Sequence, residues 1–142
     1  MLQVTTNPRC RQFLDGFHAF ALEAGLHPSE PKGTNNSVRF PAIGAASHVG
    51  VSVISDCLRV NLNNDLDQDR SVLDKLHADR DAFQGAVGEV LNWDNPDPTR
   101  SRSVIRAARP GGYMSEAADW TEQYAWAVGV VSAFEREYKA RI

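Results

Sequence analysis

The sequence predicts a single α+β domain in which helices pack on one face of a mainly antiparallel sheet. Apolar residues recur at helical spacing near both ends of the chain, and between them the runs 49–53 and 58–62 alternate apolar with polar residues around a turn at Ser55-Asp56. The element order is helix, three strands, helix, two strands, helix (α-βββ-α-ββ-α), with no internal repeat and no linker, so residues 1–142 read as one domain.

Asn7 is a favourable N-cap, Pro8 suits the first helical position, and Gly25 is a natural stop before His27-Pro28. Cys10, Phe13, Leu14, Phe17, Ala21 and Ala24 then form one apolar face that needs a sheet to cover. Residues 27–36 hold two prolines and Gly33 and form a loop. In 37–43, Val38 and Phe40 alternate with polar residues, and Pro41, which has no N–H to donate, marks an edge strand or a strand end.

Val49, Val51 and Val53 share a face, as do Leu58, Val60 and Leu62 after the turn. The opposite face carries Ser52, Arg59, Asn61 and Asn63, so the sheet is apolar on one side only. A helix beginning near Asp67 or Asp69 follows, with Val72, Leu73, Leu76, Phe83 and Val87 inward and Gly88 as its stop. Leu91 and Trp93 mark a short strand, 92–98 is dense in turn formers, and 101–109 restores alternation until Gly111-Gly112. The final helix starts near Asp119, with Glu122 placed for a capping box.

That helix carries a broad stripe (Trp120, Tyr124, Ala127, Val128, Val131, Phe134, Tyr138) and a second one (Trp126, Val130, Ala133). The second stripe is more apolar than a solvent face requires. Either it forms an interface, making the protein a homodimer or other homo-oligomer, or both stripes are buried within one subunit.

Several residues together resemble a bacterial domain of unknown function that occurs alone or C-terminal to PD-(D/E)XK-type nuclease-like domains. They are Phe13 with Phe17, the strand pair ending at Leu62, the helical run from Leu73 to Val87, Gly88-Glu-Val-Leu-Asn-Trp93, Ile105, and Trp120, Trp126 and Phe134. The resemblance covers nearly the whole chain and implies an association with DNA metabolism, with no catalytic residues to carry over. The element order is also similar to that of small acidic secretion chaperones, which implies a dimer with a non-enzymatic role.

The net charge of −3 argues against generic wrapping of nucleic acid, yet charge is polarised. Residues 61–98 hold nine acids and three bases, whereas 99–114 hold four arginines and no acid. Arg102 and Arg106 share a strand face; with Arg100 and Arg109 they make a cationic patch suited to phosphate or carboxylate, and Trp93 and Tyr113 flank it as stacking surfaces for a base. These arginines either take an anionic ligand or acidic protein segment, or pair with the chain's own acids.

Asp65, Asp67 and Asp69 have the spacing of a calcium loop but lack its glycine and its closing glutamate, so they read as charge at a helix N-terminus. The histidines are scattered and no P-loop, G-x-S-x-G or G-x-G-x-x-G occurs, so no metal, cofactor or catalytic site is expected. Cys10 and Cys57 read as buried free thiols, without the spacing of a zinc site or a disulfide framework. Met1 to Asn7 shows no signal-peptide pattern and no apolar run approaches membrane length, which favours the cytoplasm. The expected function is a self-associating, non-enzymatic binding module for an anionic partner; the alternatives are a nucleotide-binding protein that sequesters or senses a phosphorylated signal, and an accessory nucleic-acid-binding domain.

Overall fold

The computed structural model describes residues 7–32, 36–94 and 102–142. In chain order the elements are α1 (Pro8–Glu23), β1 (Ser37–Ala42), β2 (Ser47–Ile54), β3 (Cys57–Asn64), α2 (Ser71–Ala78), α3 (Arg80–Val87), β4 (Asn92–Asp94), β5 (Ser103–Pro110), a 3-10 turn (Ala117–Asp119) and α4 (Trp120–Arg141). The strands form one sheet in the order β1-β2-β3-β5-β4, with every neighbouring pair antiparallel. β1 is an edge strand, and its register with β2 shifts between Arg39 and Ala42, the interval that contains Pro41. The missing N–H falls where the ladder is already interrupted.

Strand alternation divides the sheet into two faces. Val38, Val51, Val60 and Ala107 stand opposite one another across four strands, and Val49, Leu62 and Ile105 form the next row. All are buried, and full burial of a valine or leucine side chain is worth about 1.5–3 kcal/mol. α4 crosses β2 and β3 on this side and packs against α1, α2 and α3. The Phe13 ring meets Trp120 and Tyr124 edge-on at 5.2 and 5.0 Å, and the Tyr124 hydroxyl donates to the Phe13 carbonyl at 2.8 Å. A polar row closes one end of the same face. Tyr138 donates to Ser47 Oγ (3.1 Å), Ser47 donates to Asn64 Oδ1 (2.7 Å), and Asn64 donates to Ser103 Oγ (3.1 Å), so each of these buried groups has a partner.

α1 begins as predicted, with Asn7 Oδ1 accepting from Arg9 N at 2.9 Å. The single helix expected after the hairpin is two helices. Asp79 leaves the helical region (φ −113°, ψ 28°), and its carboxylate accepts from Arg141 Nε at 2.7 Å. This ion pair to the end of α4 is tertiary, so spacing within the segment cannot reveal it. The acids before α2 act as N-terminal charge: nearly buried Asp67 accepts from Val72 N and Leu73 N at 3.1 and 3.0 Å, and Asp69 accepts from Ser71 N at 3.1 Å. Hydrogen bonding from Ser71 also lowers the Asp69 carboxyl pKa from its ordinary value.

The expected capping box on α4 does not form. Asp119 ends the 3-10 turn and makes no side-chain cap bond, while Glu122 approaches Arg109 at 3.8 Å. Cys10 and Cys57 are both free; Cys10 is buried, whereas Cys57, at the start of β3, is half-buried. No helix among the described residues is long and apolar enough to cross a membrane.

After β5 the chain doubles back over the β2–β3 turn at Gly112. Its φ is +82°, and a Cβ there would collide with the Ile54 and Ser55 carbonyls and the Cys57 amide. The Gly112 amide donates to Gln123 Oε1 at 2.7 Å, tying the turn to α4. Gly88 has nearly the same φ, +83°, but open space around it. Gly88→Ala should therefore cost about 1–2 kcal/mol for the left-handed backbone alone, and Gly112→Ala clearly more. Urea denaturation of both variants tests this, and equal losses would contradict the close-packed turn.

Candidate functional site

The face of the sheet opposite the helices is polar. Arg39, Gly50, Asn61 and Arg106 lie in one cross-strand row, with Ser37, Ser52, Arg59 and Ala108 in the row on one side and His48, Asn63 and Val104 on the other. A hydrogen-bonded chain crosses three strands here. Arg106 Nε donates to Asn61 Oδ1 (2.6 Å), Asn61 Nδ2 donates to Ser52 Oγ (3.1 Å), and Arg59 Nε donates to the same Ser52 oxygen (3.2 Å). Ser52 accepts both of these bonds, and no bond donated by its own hydroxyl is formed among the described residues.

Gly50 leaves a gap between Arg39 and Asn61, which becomes the floor of a cleft of about 560 Å³. One wall is Ser29, Glu30 and Lys32 from the loop before β1, and His48, Ser52, Asn61 and Asn63 line the sheet side. The loop is fixed to the edge strand by Ser29, whose N–H donates to the Arg39 carbonyl (2.7 Å) and whose Oγ accepts from Arg39 N (2.9 Å). Lys32 and Arg39 outweigh Glu30 along the lining, and Arg59 adds a further cation beside Ser52. Among the described residues neither Arg39 nor Arg59 forms an ion pair.

His48 sits at the cleft wall with Nδ1 3.7 Å from Asp65 Oδ2 and Nε2 3.4 Å from Asn63 Nδ2. Burial, reinforced by the Arg39 charge, lowers its pKa from the ordinary 6.5, and Asp65 offsets this in part. At neutral pH the ring is therefore uncharged. With Nδ1–H turned to the carboxylate, Nε2 accepts from the Asn63 amide.

The structure separates the residues grouped from sequence. Arg106 is on the polar face, Arg102 is exposed just before β5, and Arg100 lies outside the described residues. Arg109 does not join them, because its odd-numbered position puts it with Ile105 and Ala107 on the helix side. There it lies over the Trp126 ring at 5.9 Å and near Glu122.

Trp93 is also on the helix side, beside His77 (5.5 Å) and Phe83 (5.8 Å). Tyr113 follows the glycine pair, packs against the core and gives its carbonyl to Arg9 Nε. Neither ring faces the cleft. Arg39 and Arg59 are the cations missed in their place. Their alternation with Val38, Phe40, Leu58 and Val60 was readable, but only the pairing of β1, β2 and β3 brings them to one surface.

The second stripe of α4 is no exposed interface. Val130 and Ala133 are buried inside the chain, and Trp126 is half-buried, donating from Nε1 to Glu89 Oε2 at 3.0 Å. α3 packs against α4, and this pairing of helices accounts for the excess of apolar residues.

No protein-family model matches the chain, and no curated protein matches it. Among solved structures it is similar to YbjN from E. coli, a protein proposed to regulate transcription, with 14% identity, a TM-score of 0.50, and coverage of 89% of this chain and 92% of that one. At that identity the likeness shows the fold alone.

The depressed pKa of His48 has a thermodynamic consequence. As pH falls through about 6.5 the unfolded chain takes up the proton before the folded one does, so the stability present above that value is progressively lost down to the lowered folded pKa. Denaturation midpoints measured from pH 8 to pH 5 should fall in the native protein and fall less in His48→Gln. Parallel curves would remove His48 as the cause.

Proposed function

We propose that this chain is a non-catalytic binding module that holds an anionic ligand in the cleft on the polar face of its sheet. One observation carries the reading: the chain Arg106–Asn61–Ser52–Arg59 runs from the cleft lining at Asn61 and Ser52 to the Arg59 guanidinium beside it, so a cation is held next to a hydroxyl that can donate to a ligand oxygen. Guanidinium groups match carboxylate and phosphate oxygens in geometry, and holding them in place beforehand lowers the ordering cost of binding. Arg39 and Lys32 add charge at the mouth.

This keeps the anionic partner expected from sequence and moves its site from the Arg102 and Arg106 strand alone to the β1–β2–β3 surface. Base stacking by Trp93 or Tyr113 has no place in it, since both lie elsewhere. Self-association is not needed either, because Val130 and Ala133 of the stripe that suggested it are buried within the chain.

Hydrogen bonds to charged groups contribute about 1.5–3 kcal/mol. Calorimetric titration with a panel of small phosphates and carboxylates should therefore find a ligand whose affinity drops roughly ten- to a hundredfold in Arg59→Ala. Binding should weaken further with Arg39→Ala, and weaken with added salt. A ligand held equally well by the double variant would refute this site.

A further inference from the structure

Resting on the anion-binding reading, we propose that the cleft selects a small polyhydroxylated anion, a sugar phosphate or sugar acid, over a nucleotide. The argument is the chemistry of the lining. Ligand pockets are usually apolar and aromatic, and a base is gripped chiefly by stacking on a ring. Here His48 is the one aromatic ring lining the cleft among the described residues, and its two nitrogens are engaged by Asp65 and Asn63. The sheet-side surface consists instead of Ser52, Asn61 and Asn63 around a glycine. Hydroxyl and amide side chains both donate and accept, as do the hydroxyls of a sugar, but they give a flat heterocycle no ring to stack on.

The cations and the neutral polar groups of the cleft divide the work. Lys32 and Arg39 take the charged group, with Arg59 held beside the lining by Ser52, while Ser52, Asn61 and Asn63 take hydroxyls. The volume of about 560 Å³ admits either ligand class, so polarity decides between them.

Gly50 provides the control. A Cβ there would make only ordinary contacts, at 3.5 Å, with Asn63 Nδ2 and the Val38 carbonyl, so Gly50→Leu keeps the backbone and fills the cleft floor. Calorimetry with glucose 6-phosphate, ribose 5-phosphate, glucuronate, glucose, inorganic phosphate and AMP, on the native protein and Gly50→Leu, tests the proposal. The expected result is that at least one sugar phosphate or glucuronate binds tenfold or more tighter than AMP, glucose and inorganic phosphate, and that this binding is lost in Gly50→Leu.

AMP binding as tightly as any sugar anion, and lost in Gly50→Leu, would overturn the ligand class while leaving the anion site standing. No binding by any probe, or binding unchanged by the filled floor, would overturn both. Should Gly50→Leu melt well below the native protein, exposed Arg39→Ala replaces it, with a tenfold loss of sugar-anion binding expected and an unchanged affinity counting against the proposal.

Discussion

The alternation of β3 is the constraint on which the rest of this molecule depends. Leu58, Val60 and Leu62 point into the core and Arg59, Asn61 and Asn63 point away, and β3 is central, with β2 on one side and β5 on the other. With a strand on each side, the polar side chains of β3 are crowded by neighbours from both, and Arg59 and Asn63 are half-buried. Asn61 is nearly buried, so its amide must find partners within the sheet. Those partners are Ser52 and Arg106, and the need to satisfy one amide orders two neighbouring strands.

The same requirement builds the site. Ser52 serves Asn61 and Arg59 together, leaving its proton unengaged among the described residues, and Gly50 removes the side chain that would have filled the next place in the lattice. On the helix side a corresponding polar row is linked by Tyr138, Ser47, Asn64 and Ser103. One face is closed by a helix; the other sets Arg39 and Arg59, which form no ion pair among the described residues, next to open volume. This contrast, more than the presence of arginines, singles out the cleft.

Most of the fold was legible. The hairpin of β2 and β3, the edge character of β1, the cap of α1 and the role of Asp67 and Asp69 all follow from local rules, in which alternation, a missing N–H or a short carboxylate acts within a few residues. The split at Asp79 and the absent capping box at Asp119 were not legible, because Arg141 and Arg109 reach these regions from distant parts of the chain. The burial of Val130 and Ala133 escaped for a related reason: a helix with two apolar stripes reads alike whether the second one meets α3 or another molecule.

The amino-acid order alone determined which side of each strand is apolar, and therefore that a one-sided antiparallel sheet would carry helices on that side. Strand parity also sets Arg109 apart from Arg102 and Arg106, a distinction that grouping all the arginines of 99–114 into one patch passed over. Only the tertiary structure decided which cations share a surface, because parity says nothing about neighbours. The strand order β1-β2-β3-β5 sets Arg39, Arg59 and Arg106 on one face, while the packing of α4 claims Arg109. Side-chain direction is a local property of the backbone, whereas adjacency is made by hydrogen bonds between strands far apart in the chain.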